Sequence, residues 1–308
     1  PAGYHIVGEG LNARAEVTDF WAMVFNPSSV DRLLHVWIGS FLAGAFLVLS
    51  VNAYYILKKR HLNIAKPAFK IALLVATVFS VAQLFMGHRS ADGVSKNQPA
   101  KLAALEGHYD STAVADMYLF GWVNNETQTT TGLKIPGGLS FLIHGDFEKE
   151  VIGLNAFNPE DRPTQVNAIF QFYHLMVAIG LALIALTLYA SWQWRKGKLF
   201  DKRWLMSIFV WSVLLPQIAN QVGWFAAEMG RQPWVVYGHL RTSDALSKAV
   251  SANQILFSLI LFVLVYSTLF VLFLYLLNKK IKHGPDDDSA PEPIGDGSKR
   301  INPFLKQS

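Results

Sequence analysis

The sequence predicts an all-α protein, a polytopic bundle of transmembrane helices with one large loop outside the bilayer. Three observations carry that expectation. The chain has 308 residues, 52% of them hydrophobic and only 16% charged, with a mean hydropathy of +0.26, whereas soluble chains carry about 25% charge. The apolar residues are bunched into long blocks, which points to a bilayer as solvent. The basic residues cluster between those blocks in alternation, as the positive-inside rule demands of a multi-span chain.

A span needs about 20 mostly apolar residues at 1.5 Å rise. Five blocks qualify, at 34–57, 67–87, 166–192, 204–228 and 254–278. Gln217, Asn220 and Gln221 interrupt the fourth. Polar groups there cost several kcal/mol unless they face protein or a cofactor.

Lys58, Lys59, Arg60, His61, Lys66 and Lys70 separate spans one and two; Arg195, Lys196, Lys198, Lys202 and Arg203 separate three and four; Lys279, Lys280 and Lys282 follow span five. If each block crosses once, all three clusters lie on one side, the cytoplasm. Segments 88–165 and 230–252 then face outward. Residues 1–33 hold no signal peptide and the chain opens on Pro, so an outside N-terminus predicts upstream spans, and the sequence reads as the C-terminal portion of a longer membrane protein. The bundle and its loop, 1–283, form one expected domain. The tail 284–308, rich in Pro, Asp, Gly and Ser, is expected to be disordered on the cytoplasmic side.

The absence of cysteine excludes disulfides, iron–sulfur clusters and thiolate metal sites. With no phosphate-cradling glycine loop and no basic domain, nucleic acid is not an expected partner. The 88–165 segment is rich in apolar and aromatic residues, as in "KLAALEGHYD" and "IPGGLSFL", which argues for an ordered, working loop.

Few groups can carry chemistry. His35 opens span one in "DRLLHVWIGSF", where a histidine serves as an interfacial anchor, a bonded core residue or a ligand. Met176 lies about ten residues into span three, where a methionine is usually packing. An imidazole and a thioether facing each other across two helices can fill both axial positions of a haem iron, an arrangement suited to electron transfer. Glu228 ends span four in "WFAAEMGRQPW". It is either a headgroup-level acid paired with Arg231 or an anionic haem ligand or proton relay. Trp224, one turn earlier, could pack on a macrocycle, and Arg231 could pair with a propionate. Lys101 and Glu106 read, by themselves, as a solvated charge pair. His88, His108 and His144, assigned to the loop, match no strong metal spacing.

Taken together, "GWFAAE" at 223–228 followed by "GRQPW" at 230–234, "KLAALEGHY" at 101–109, "LLHVWIGSFLAGAF" at 33–46 and "HLMVAIG" at 174–180 resemble subunit I of the cytochrome bd-type quinol oxidases. The likeness runs from residue 1 to about 283, and the short outer loop resembles the branch often called cyanide-insensitive. That family's subunit has nine spans, so the resemblance implies that this chain holds the last five.

It further implies that His35 and Met176 ligate a low-spin haem b, Glu228 ligates a high-spin haem b, Trp224 and Arg231 support the high-spin haem region, and Lys101 and Glu106 contact quinol within the loop 88–165. The axial histidine of haem d is expected in the part of the family's chain that precedes Pro1. The implied activity is oxidation of ubiquinol or menaquinol at the outer face of the bacterial inner membrane and reduction of oxygen to water, without a proton pump. The implied partners are a second membrane subunit and, as a further candidate, a small accessory one. One departure stands out: His174 occupies a position where the family often has arginine, which leaves the charge compensation of the low-spin haem open. Two rival readings use the same residues differently: a di-haem electron-transfer anchor that never meets oxygen, and a haem-free transporter using the polar groups at 217–221.

Overall fold

The computed structural model describes residues 2–8, 13–247 and 249–285. Among them, five helical stretches are long and apolar enough to cross a membrane, the fourth of them, Arg203–Gly230, broken after Trp211; five is the number the hydropathy predicts. The chain enters through a small hairpin, β1 (Tyr4–Val7) paired antiparallel with β2 (Arg14–Val17), and a short helix α1 (Phe20–Val24). Asp19 caps α1, its Oδ1 accepting the backbone N–H of Ala22 at 2.9 Å.

Helices α2 (Ser29–Leu57) and α3 (Leu62–Asn97) form the centre of the bundle. The basic turn between them is tight, with Lys59 and His61 both at positive φ. Their interface is built from fully buried Phe46, Leu49 and Ala53 against Ala65, Phe69, Leu73 and Ala76. Small residues let the backbones approach where lipid gives no hydrophobic drive to pack. Hydroxyls tie α3 to α6 (Val166–Arg195): Ser80 to Thr187 at 3.0 Å and Thr77 to Ser191 at 2.9 Å.

Between α3 and α6 lies the segment expected to face outward. It comprises α4 (Pro99–Glu106), the antiparallel hairpin β3 (Met117–Asn124) and β4 (Thr129–Ile135), and α5 (Gly138–His144). Proline fits the first turn of α4, where its missing N–H is not needed. Gly107 ends α4 at φ +62°, and a Cβ there would stand 2.7 Å from Thr130 Oγ1 and 2.8 Å from Val123 Cγ2. The segment shares one apolar core with the adjoining ends of α6 and α8: Ala103, Ala104, Leu105, Tyr109, Val123 and Leu154 pack with Val166, Ile169, Phe170 and Ala226. It is ordered because it is seated on the bundle.

The remaining helices are α7 (Arg203–Trp211), α8 (Leu214–Gly230) and, after the small hairpin β5 (Trp234–Val236) with β6 (Leu240–Arg241), α9 (Ala252–His283). Among the described residues, those up to Ser251 make one compact unit and those from Ala252 to residue 285 belong to a second. In that second unit α9 is apolar on every side and ends on Lys280, Lys282 and His283.

The helices run past the expected spans. Beyond residue 87, α3 continues to Asn97, because "HRSADGVSKN" is polar yet helix-compatible and hydropathy marks only the part that lipid can cover. His88 therefore belongs to α3, and the connecting segment starts at residue 98. The helix of span one begins at Ser29, since the polar first turn is helical too. Spans three and five extend to Val166–Arg195 and Ala252–His283. Span four, expected as 204–228, is two helices, α7 and α8. Pro216 has no N–H to offer the Ser212 carbonyl, which instead accepts from Leu215 at 3.1 Å. Of the tail expected at 284–308, all but residues 284 and 285 lies outside the described residues.

Candidate functional site

The helices that carry His35 and Met176 both pack on α8. His35 sits six residues after the start of α2, roughly 9 Å along it, and Met176 ten residues after the start of α6, roughly 15 Å along. One turn beyond His35, on the same face, Gly39 lies against α8: a Cβ there would be 2.9 Å from Asn220 Oδ1. Three residues further along α8, a Cβ on Gly223 would be 2.5 Å from the Met176 sulfur. The imidazole-bearing and thioether-bearing helices thus close on α8 through glycines.

The other face of α8 is unusual for a membrane helix. Gln217, Gln221, Trp224 and Glu228 recur at helical spacing, with the first three exposed and Glu228 half-buried. Trp224 leaves 58% of its surface open. Above it, Arg231 Nη2 bonds Glu228 Oε2 at 2.6 Å, while Arg231 Nε is buried with no partner. The acid–arginine pairing expected on simple electrostatic grounds is therefore present.

Lys101 and Glu106 do not form the solvated pair their charges suggest. Five residues apart on α4, they point about 140° away from each other. Lys101 lies along the end of α8, its Cγ 3.2 Å from where a Cβ of Gly230 would be. Burial pushes its ammonium down to about 8, helped by Arg32 and Arg231 and opposed by Glu228. Glu106 faces the bundle, 2% exposed. Burial raises its carboxyl to about 7 against the favourable hydrogen bond from the Tyr173 hydroxyl, and Oε2 has no partner. Glu106 is also the last residue of α4, where the helix dipole disfavours an anion.

His174, standing where an arginine was the alternative, fastens the hairpin to span three. Its Nε2 lies 2.7 Å from the Tyr118 carbonyl and its Nδ1 2.9 Å from that of Phe170. The ring stacks on Phe170 with centroids 3.8 Å apart. His108 and His144 likewise face backbone carbonyls, of Val151 and Glu150. Among the described residues no group of three or more His, Asp or Glu could hold a metal ion.

Two residues beside the site were missed in the sequence. Tyr173 faces Glu106, and nothing in an aromatic-rich run distinguishes it. Gln83 of α3 places its amide nitrogen 3.3 and 3.2 Å from the two ring nitrogens of His35. An amide inside a span was a usable signal. The donor set fits a haem in three respects: imidazole and thioether suit a six-coordinate iron, Gly223 keeps the surface of α8 low beside the thioether, and the polar stripe and the unpaired Arg231 Nε await a polar neighbour.

An α-helical, multi-pass membrane protein whose intramembrane polar residues gather along one helix is the class that fold and site define. Within it, the chain belongs to the cytochrome bd terminal oxidase subunit I family, whose profile matches residues 1–285. It is 32% identical to the Bacillus subtilis cytochrome bd ubiquinol oxidase subunit 1 over 299 residues, covering 94% of this chain and 63% of that protein. It is 34% identical to the putative cytochrome bd menaquinol oxidase subunit I of the same bacterium over 295 residues, covering 94% and 64% respectively. The bd oxidase structure from Geobacillus thermodenitrificans superposes with a TM-score of 0.81 at 29% identity, over 92% of this chain and 64% of that one. The chain thus spans a little under two thirds of the length of these relatives. The family carries haems.

Proposed function

We propose that this chain is the core of a haem-bearing subunit of a terminal respiratory oxidase, one that oxidises quinol at the outer face of the inner membrane and reduces oxygen to water. In this reading the cofactors supply the electron-transfer and oxygen-reducing chemistry when bound. His35 and Met176 would hold a low-spin haem b. Glu228 would hold a high-spin haem b, with Arg231 and Trp224 forming its surroundings. The observation that carries the reading is the convergence on α8: Gly39 of the imidazole-bearing helix lies against Asn220, Gly223 of α8 lies against the Met176 sulfur, and a polar stripe ending in Glu228 and Arg231 runs along the other side.

Quinol gives up two protons and two electrons, so its site needs a base active near neutrality. Glu106, its carboxyl raised to about 7, can accept a proton there. Lys101, on the opposite face of α4, presents a positive charge toward the Glu228–Arg231 end of α8. The relatives are named for ubiquinol and for menaquinol; either is a candidate substrate. Protons released outside and drawn from the cytoplasm would build a membrane potential without a pump. A second membrane subunit, with a small accessory one as a further candidate, completes the enzyme.

The test is Glu106→Ala in the complete oxidase. Quinol turnover is expected to fall by about 10²–10³-fold with all haem bands retained. Normal turnover would make Glu106 a structural acid, and loss of the haem bands would make the outer segment a scaffold.

A further inference from the structure

The ring of His35 has one polar neighbour. Among the described residues, Gln83 is the only group hydrogen-bonded to it, its Nε2 lying 3.3 Å from Nδ1 and 3.2 Å from Nε2. Near-equal distances mean that the amide nitrogen is not aligned on either ring lone pair. At the same time Gln83 Oε1 is buried and bonded to nothing. A buried amide oxygen without a donor is uncommon, and each such case needs a reason.

The reason follows from the tautomer rule. A neutral imidazole carries a single N–H. If one ring nitrogen faces a metal, the other must hold the proton, and it needs an acceptor. Turning the amide of Gln83 about its last torsion exchanges Oε1 with Nε2. The orphaned acceptor then stands beside the ring.

The contact is fixed from both sides along the α2–α3 interface. Toward the outer end, Asp31, one turn before His35, pairs with Arg89 at 3.1 Å. Deeper in, Phe41 stacks on Phe79, one turn before Gln83, with centroids 4.9 Å apart. An ion pair and a ring stack on either side hold the two helices in register, so the amide is presented to the ring by the packing.

We propose that Gln83 is a positioning residue for His35: its side-chain oxygen accepts the Nδ1–H of the imidazole, fixes the ring's orientation and tautomer, and thereby tunes the potential of the iron that His35 holds. This rests on the reading of His35 as a haem ligand. An acceptor on the distal N–H makes the imidazole a more basic ligand, which favours the ferric state and lowers the midpoint potential.

The experiment uses the complete oxidase with Gln83→Leu and Gln83→Glu, reading the low-spin haem spectrum, the haem content and the midpoint potential by redox titration. Gln83→Leu removes the acceptor at similar volume. The ferric/ferrous equilibrium is expected to move about tenfold toward ferrous, ~59 mV upward for one electron. Gln83→Glu keeps an acceptor oxygen and adds charge, so the shift is expected downward. Unchanged potentials in both variants would overturn the proposal. So would shifts of the same sign, which would mean that only packing changed. Loss of the haem from both would overturn it too, because Glu retains the acceptor. His35→Ala separates this from the underlying reading: a low-spin signal that survives in that variant would remove His35 as ligand whatever Gln83 does.

Discussion

Glu106 ends α4 nearly free of solvent, and its protonation governs what the outer segment can do. Its folded value, about 7, lies above the ordinary carboxyl value. The protonated form is therefore the one folding favours. The resulting stability is present below about pH 4.5 and is lost as pH rises through 7, on the order of 3 kcal/mol in all. Glu106→Gln should flatten that slope, which thermal unfolding of the oxidase between pH 5 and 8 would measure. An unchanged slope would mean that other groups set it. Tyr173 pulls the other way, since its hydroxyl stabilises the ionised carboxyl. Tyr173→Phe should move the carboxyl band of Glu106 to a higher titration midpoint in difference infrared spectra; a midpoint that stays in place would show no such bond. Met176→Leu keeps bulk but removes sulfur. The low-spin signal should turn high-spin or fall in potential while the other haems persist, and an unaltered signal would return Met176 to packing.

At the scale of the element, glycines separate the contact surface of α8 from the plain lipid-facing surface. A Cβ at Gly223 would overlap the Met176 sulfur, whereas Gly44 of α2 has nothing within 4 Å. Gly44→Ala should therefore be neutral or stabilising by up to about 1 kcal/mol from helix propensity. Gly223→Ala gains the same propensity but must push the thioether aside, so the low-spin haem should be perturbed in it alone. Equal spectra in the two variants would mean that the sulfur is free to relocate. These elements also mark where the sequence was readable. Five spans were legible because lipid imposes one long apolar block per crossing, and His35, Met176, Glu228, Lys101 and Glu106 stood out as motif residues. The ten-residue extension of α3 was hidden because helix continuity does not require apolarity. The break before α8 was hidden because Pro216 falls inside an apolar run. The opposite facing of Lys101 and Glu106 depended on reading α4 as a helix. Gln83 carried a signal as an amide inside a span, but its pairing with His35 was hidden because the two lie 48 residues apart.

For the whole molecule, the alternation of basic clusters predicts that the segment containing α4, β3, β4 and α5 lies outside the cytoplasm. The chain has no cysteine, so a single one introduced at exposed Ser111 reports sidedness without background. It should react with an impermeant reagent in intact cells, and reaction only after lysis would invert the topology.

The exposed stripe of α8, from Gln217 to Glu228, bears on how the subunit is made. Two amides and a carboxylate cannot rest against acyl chains at small cost, and a ligand that binds only the folded form raises that form's population by mass action. If haem is what covers the stripe, the newly inserted polypeptide is a substrate for membrane proteolysis until it is filled. Its abundance in the cell is then set by porphyrin supply as much as by transcription.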